Sequence, residues 1–326
     1  MAEKVIRDLY DEVGIVKPKL LEHCPLKLRE KSRVNIFALG DVGTTVLIGL
    51  RLMGGDVISS IGIYDINNAN LQRLEMEMNQ IRVPFEGDEN SMPQVSVIAE
   101  EELFDCDVLV FCASKGVPGI GVEGDVRMAQ LEANKEIISN CGDLAKAADF
   151  QGMVCVVSDP VDPLCKALLQ SSALDPSQIQ GCGLGVMNAR ALYYAGRDDR
   201  FAAYATKGRA FGPHGHDLVI ADNVEDYDDS LSRELTALAI DANMKVRDLG
   251  YKPYIAPALS SAAISILMTM RGQWHYSSLY FGDGTSGAFL GLKNIMTPAG
   301  PEYEDIKLDD KLFKRIRKAY INLCVL

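Results

Sequence analysis

The chain has 326 residues, enough for one large or two ordinary domains, each with its own core. Apolar residues make up 48% and charged residues 24%, which is ordinary for a soluble globular protein. The formal net charge of −12 argues against nucleic acid or an anionic membrane as a partner, because phosphate binding needs clustered Lys and Arg. No apolar run reaches the roughly 18–20 residues that span a bilayer, and the charged N-terminus is not a secretory signal.

The eight cysteines show no CxxC or zinc-type spacing, and most of them stand in apolar surroundings. This pattern predicts no metal site. It favours small buried side chains in a reducing, cytoplasmic compartment.

Residues 1–32 are predicted to be an N-terminal helical extension, because Val5, Leu9 and Val13 recur at helical spacing before a glycine. The basic stretch that follows Gly14 is expected to pack loosely. From residue 33 to 163, buried-type strands alternate with amphipathic helices. Alternation of this kind predicts a Rossmann-type, doubly wound parallel sheet with helices on both faces and a ligand site at the carboxyl ends of the strands.

Residues 164–326 are less regular and are predicted to form an α+β catalytic, substrate-binding domain. The expected helices are PLCKALLQSS, GVMNARALYYAGRD, SLSRELTALAIDANMKVRDLG, APALSSAAISILMTMRG and KLDDKLFKRIRKAYINL, and FAAYAT and LVIADN are expected to be strands.

The segment VNIFALGDVGTT predicts a strand, a glycine turn and a helix, as in a dinucleotide site. Gly40 would let the backbone approach a pyrophosphate, and Gly43 would let the helix pack close to the strand. Asp65 ends the next strand, where it would bind the ribose hydroxyls and repel a 2′-phosphate, so NAD is favoured over NADP. The predicted cofactor-binding set also includes two residues of the turn and two that follow later buried strands: Asp41, Val42, Ser114 and Ser158.

His214, in GPHGHD, is the candidate proton-transfer residue. A loop histidine is more often a surface residue, but Gly212 and Gly215 permit an unusual backbone and close approach of a ligand. His23 and His275 have no such neighbours and are interpreted as structural.

Together these blocks resemble the NAD-dependent lactate/malate dehydrogenases over nearly all of residues 33–326. GDVRMAQLEAN looks like the family's loop-to-helix segment, VVSDPVD like its S-N-P-V-D strand end, VMNAR like its arginine-bearing helix and GPHGHD like its active-site loop. The resemblance implies that Arg190 grips the carboxylate of a 2-oxo acid and that Arg127 polarises the carbonyl once its loop closes. It also implies that His214 is the acid/base, and that the protein is a homodimer or homotetramer.

Three positions depart from the family. Met187 replaces the aspartate that orients the histidine, and Asp159 replaces the strand-end asparagine. We hypothesise that Asp159, or the pair His216 and Asp217, becomes the partner of His214. The first arginine of the malate-type loop is missing near Gly121 and Val122, which disfavours malate and oxaloacetate.

The sequence therefore predicts an NAD-dependent dehydrogenase acting on a small, lactate-like 2-hydroxy or 2-oxo acid. Two alternatives remain open because Met187 and Asp159 alter the site. One is an NAD-binding relative with weak catalysis that serves as a sensor. The other is an enzyme for an imine or amine substrate.

Overall fold

The computed structural model describes residues 4–84, 92–115 and 126–326, with the backbone alone for 126–130. The strands are Lys4–Val5 (β1), Ser32–Phe37 (β2), Ile58–Tyr64 (β3), Gln94–Val97 (β4), Val108–Phe111 (β5), Met153–Val156 (β6), Ile179–Gly181 (β7), Arg209–Phe211 (β8), Val219–Ala221 (β9), His275–Gly282 (β10), Gly287–Thr297 (β11), Gly300–Tyr303 (β12) and Lys307–Leu308 (β13). The helices are Leu9–Glu12 (α1), Asp41–Met53 (α2), Asn68–Gln80 (α3), Val126–Ala147 (α4), Val161–Ser171 (α5), Leu184–Ala195 (α6), Tyr204–Lys207 (α7), Asp229–Asp248 (α8), Ile264–Met270 (α9) and Asp310–Val325 (α10), and a π-helical segment, Pro257–Ala263, leads into α9.

The central sheet has nine strands in the order β12-β11-β10-β7-β6-β5-β2-β3-β4. The six strands from β7 to β4 are parallel. Every residue of β5 and β6 is buried, as continuous apolar strands require when helices cover both faces. The predicted Rossmann-type α/β fold is confirmed. Its strand order reverses between β2 and β5, and ligands of such sheets bind in the crevice at that point.

The sheet runs past residue 163, the predicted end of the first domain. β7 adds a sixth parallel strand, and the antiparallel strands β10, β11 and β12 extend the same sheet. β10 joins β7 through one residue pair, Ser278 with Gly181. The second half is thereby anchored directly to the edge of the nucleotide-binding half.

The first residues that the structure describes are built into the second half of the chain. β1 pairs with β13, and Ile6 and Leu9 are fully buried in a core that also contains Leu312 and Ile316 of α10. Its helix, α1, is only four residues long, because residues 4–8 form a strand and a 3-10 turn. Burial of these two side chains overrides the helical spacing in the sequence.

The prediction of a strand at FAAYAT is wrong. A 3-10 turn, Asp199–Phe201, and α7 occupy this stretch. The Asp198 side chain caps the turn by accepting the Arg200 N–H, and Phe201 and Tyr204, three residues apart, are both buried. Helical spacing of two large side chains toward one core therefore prevails over the β propensity of the aromatic residues.

All eight cysteines are free, and four of them are fully buried. Among the described helices, none is both long and apolar enough to cross a membrane.

Candidate active site

The glycine turn between β2 and α2 is shaped for close approach of a ligand. A Cβ on Gly43 would lie 2.0 Å from the carbonyl oxygen of Ala38, so only glycine lets the helix pack this close. A Cβ on Gly40 would meet nothing within 4 Å, which leaves open space at the start of α2. Asp41 and Val42 form the first residues of that helix, whose N-terminal amides carry partial positive charge. These residues fit the pyrophosphate of a dinucleotide.

Asp65 lies directly after β3, beside the glycine turn. Its Oδ2 accepts the Leu39 N–H at 2.6 Å and its Oδ1 accepts the Asn67 N–H at 2.8 Å. A carboxylate has about four acceptor directions, so it can still accept ribose hydroxyls. Sequence reasoning missed Lys252, which pairs with Asp41 at 3.1 Å. The two residues are 211 positions apart, and nothing in the sequence pattern connects them.

A buried asparagine ties together the loops that follow β5 and β6. Asn134 of α4 accepts the Lys115 N–H at 3.0 Å and donates to the Asp159 carbonyl oxygen at 2.8 Å. Ser158 is also buried and donates to the Ala113 carbonyl oxygen at 2.8 Å, whereas Ser114 is exposed at the end of β5. These bonds hold the two predicted cofactor-binding serines at one edge of the sheet. Asn134 ends the GDVRMAQLEAN block, but its bonds to these two loop backbones have no pattern in the sequence.

His214 and Asp159 lie in contact although they are 55 residues apart in sequence. His214 Nδ1 is 3.2 Å from Asp159 Oδ1, and the side chains are 15% and 55% exposed. Gly212 and Gly215 both have positive φ, as the prediction of an unusual backbone requires. In the other candidate pair, His216 Nδ1 is 3.4 Å from Asp217 Oδ1. Asp217 Oδ2 also accepts a hydrogen bond from the Asn322 side-chain amide.

Arg190 is directed toward α8. Its guanidinium donates to Met187 Sδ and to the Ala239 carbonyl oxygen, both at 3.3 Å, and to Asn243 Oδ1. Burial lowers the pKa of Arg190, and the negative charge of Asp159 opposes that effect. Bidentate binding of a carboxylate would require the guanidinium to give up the Asn243 contact.

The side chains at three other predicted positions lie outside the part of the chain that the structure describes. Arg127 lies in the first turn of α4, but its side chain is outside the described part of the chain. Gly121 and Val122 also lie outside the described residues.

Asp162, which sequence reasoning passed over, is buried beside His214. It is 3% exposed, and its Oδ1 has no hydrogen-bond partner among the described residues. Burial raises the pKa of this carboxyl group to about 7, while a hydrogen bond with Ser278 and the charge of His214 act in the opposite direction. Asp162 could have been singled out from the sequence, because it is the last residue of the VVSDPVD block.

A cavity of about 340 Å³ adjoins His214. Its walls come from the start of α5, the His214 loop and the end of α10, with Leu131 of α4. The loop that carries His214 and the start of α5, which follows β6, therefore meet in the wall of one cavity.

A parallel sheet with this strand order, a glycine turn at its switch point and an acidic residue after the next strand define a dinucleotide-binding Rossmann protein. Residues 32–181 match the family described as lactate/malate dehydrogenase, NAD binding domain. Residues 32–181 therefore belong to the lactate/malate dehydrogenase type of NAD-binding domain, and NAD is the dinucleotide of that domain.

Similar proteins include both types of dehydrogenase. The chain is 26% identical over 188 residues to an L-lactate dehydrogenase of Treponema denticola, across 57% of this chain and 56% of that protein. It is 26% identical over 194 residues to a malate dehydrogenase of Sulfurimonas denitrificans, across 59% and 57%. The alignments thus span little more than half the length of these curated relatives.

Two solved structures share the fold over most of their length. A lactate dehydrogenase from a Medee basin deep-sea metagenome has a TM-score of 0.72 at 16% identity, covering 90% of this chain and 97% of that one. The malate dehydrogenase of Picrophilus torridus has a TM-score of 0.72 at 16% identity, covering 90% and 95%.

Proposed function

We propose that this protein is an NAD-dependent dehydrogenase that interconverts a small 2-hydroxy acid and its 2-oxo acid, with His214 as the acid/base. The observation that carries the proposal is the 3.2 Å contact between His214 Nδ1 and Asp159 Oδ1 at the carboxyl edge of the NAD-binding sheet. Bound NAD supplies the hydride acceptor, and NADH the donor, at the carbon that bears the hydroxyl or oxo group.

The contact with Asp159 gives His214 an anionic partner in place of the family's aspartate at position 187. A carboxylate at Nδ1 favours the tautomer with its proton on Nδ1, so Nε2 is left to exchange a proton with the substrate oxygen. Because Asp159 is 55% exposed, water screens its charge, and it stabilises the imidazolium less than a buried partner would.

The substrate proposed is lactate-like and not malate-like. The malate-type arginine is missing from the sequence near Gly121 and Val122. Among the described residues, no Lys or Arg lines the cavity beside His214, whereas Asp162 and Asp217 do. A second substrate carboxylate would meet no Lys or Arg there, and the carboxylate of Asp217 would repel it.

The test is oxidation of NADH, followed at 340 nm, with a panel of 2-oxo acids. We expect His214→Ala to lower turnover about 10²- to 10⁴-fold, the usual contribution of general acid/base catalysis, without loss of NADH binding. His23→Ala, which removes an exposed histidine of the N-terminal segment, is the matched control. Turnover that is unchanged in His214→Ala would refute the assigned role.

The second candidate is an NAD-binding relative with weak or altered catalysis. The hydrogen bonds that the Arg190 guanidinium makes with α8 favour it. Met187 is 1% exposed, and Arg190 is engaged with α8. Tight NADH binding without turnover of any 2-oxo acid would support a sensor. Turnover that appears only when ammonia is added would support an imine substrate, for which the charge of Asp159 is favourable.

A further inference from the structure

The cavity beside His214 is far larger than a lactate methyl group requires. Its volume of about 340 Å³ falls in the range of pockets that hold whole small molecules, about 300–1,000 Å³. Its apolar walls include Leu131 of α4, Val161 and Pro163 of α5, and Leu323 and Val325 of α10. These side chains come from three helices that converge on the His214 loop.

We infer that this cavity is the side-chain subsite of the substrate, and that the substrate is a 2-hydroxy acid with an apolar side chain of four or more carbons. The inference rests on the proposed dehydrogenase function and names the substrate class of that site. His214 forms part of the cavity wall, so a substrate whose hydroxyl lies at His214 has its side chain within reach of the apolar walls.

The wall made by α10 is fixed relative to the acid/base loop. Asn322 of α10 donates to Asp217 Oδ2 at 2.9 Å, and Asp217 is three residues from His214. This bond ties α10 to the loop that carries His214. α10, at the far end of the chain from the nucleotide site, becomes a determinant of substrate choice.

The charge of the lining selects against anionic side chains. Asp217 lies in the lining and no Lys or Arg does among the described residues there, so an anionic side chain meets a like charge. An apolar chain instead gains free energy from leaving water, and each buried methylene is expected to raise the specificity constant about fourfold.

The experiment measures kcat/KM with NAD⁺ for straight-chain 2-hydroxy acids from lactate to 2-hydroxyhexanoate, with malate as the anionic member. We expect kcat/KM to rise about sixtyfold from lactate to 2-hydroxyhexanoate, which has three more methylenes, and malate to be the poorest substrate. The ratio of kcat/KM for 2-hydroxyhexanoate to that for lactate is the readout, because a change in the amount of folded enzyme cancels from it.

Leu131→Trp should narrow the cavity and lower this ratio at least tenfold. Leu144→Trp is the matched control, because Leu144 lies on the same helix, is 40% exposed and does not line the cavity. If Leu131→Trp fails to fold, Val325→Trp, at a position 80% exposed on the cavity rim, replaces it.

Different results would overturn the two proposals. Turnover of lactate with no gain for longer acids, or a ratio that Leu131→Trp and Val325→Trp leave unchanged, overturns the subsite while the dehydrogenase function stands. Absence of turnover with every acid overturns the dehydrogenase function and the subsite together.

Discussion

Replacing Asp162 with asparagine tests how strongly burial acts on the carboxyl group beside His214. Burial raises the pKa of Asp162 from 3.8 to about 7. Between those values the folded protein holds a proton that the unfolded chain has released, so the free energy of unfolding falls as pH rises from about 4 to 7. At about 1.4 kcal/mol per pH unit, the difference corresponds to about 4 kcal/mol, fully lost above pH 7.

Asparagine has nearly the same shape and no charge at either pH. Asp162→Asn should therefore be about 2–4 kcal/mol more stable than wild type at pH 8, and only about 1 kcal/mol more stable at pH 4.5. Urea denaturation at both pH values, at fixed ionic strength and protein concentration, measures the two differences. Asp241→Asn, at an exposed position on α8, is the control, and its effect on the free energy of unfolding should be the same at both pH values. Equal differences at pH 4.5 and pH 8 would refute the reasoning.

Two substitutions test the backbone around the site. Gly183→Ala would place a Cβ 3.0 Å from His214 Cβ and 3.2 Å from Val161, so we expect it to displace the loop and lower kcat at least tenfold while NADH binding persists. The control is Gly196→Ala, which meets nothing closer than 3.6 Å, and equal kcat in the two variants would contradict the prediction. Ala38 has a φ of 75°, which is costly for any residue with a Cβ, so Ala38→Gly should raise the free energy of unfolding by about 0.5–1 kcal/mol in urea denaturation. A loss of stability would show that the contacts of the Ala38 methyl group outweigh the backbone strain.

The nucleotide-binding half was predictable because its signals are local. β2, the glycine turn and Asp65 follow one another within 34 residues, and each has its own pattern of apolar or small residues. The prediction of a strand at FAAYAT was wrong because β propensity describes single residues. It does not contain the requirement that Phe201 and Tyr204 be buried in the same core. The family resemblance brought His214 and Asp159 into one hypothesis, but their distance depends on two loops that meet only in the folded sheet.

Other parts of the site could not be found from the sequence. The partnership of Asn134 with two loop backbones, and that of Arg190 with Asn243, depends on hydrogen bonds between residues 19–53 positions apart. Such bonds leave no periodic trace in the sequence. The burial of Asp162 is likewise a property of how α5 packs against β11 and β7, not of the residue's neighbours in the chain.

The pairing of β1 with β13 has a consequence for how the molecule assembles. Lys4 lies opposite Leu308, so about 300 residues must be in place before this short ladder can close. During synthesis β1 leaves the ribosome well before β13 and stays without its partner until β13 has followed. Ile6 and Leu9 are exposed to water throughout that interval, and contacts of such long sequence separation form slowly. The core of the second half can therefore be completed only after β13 and α10 have been synthesised.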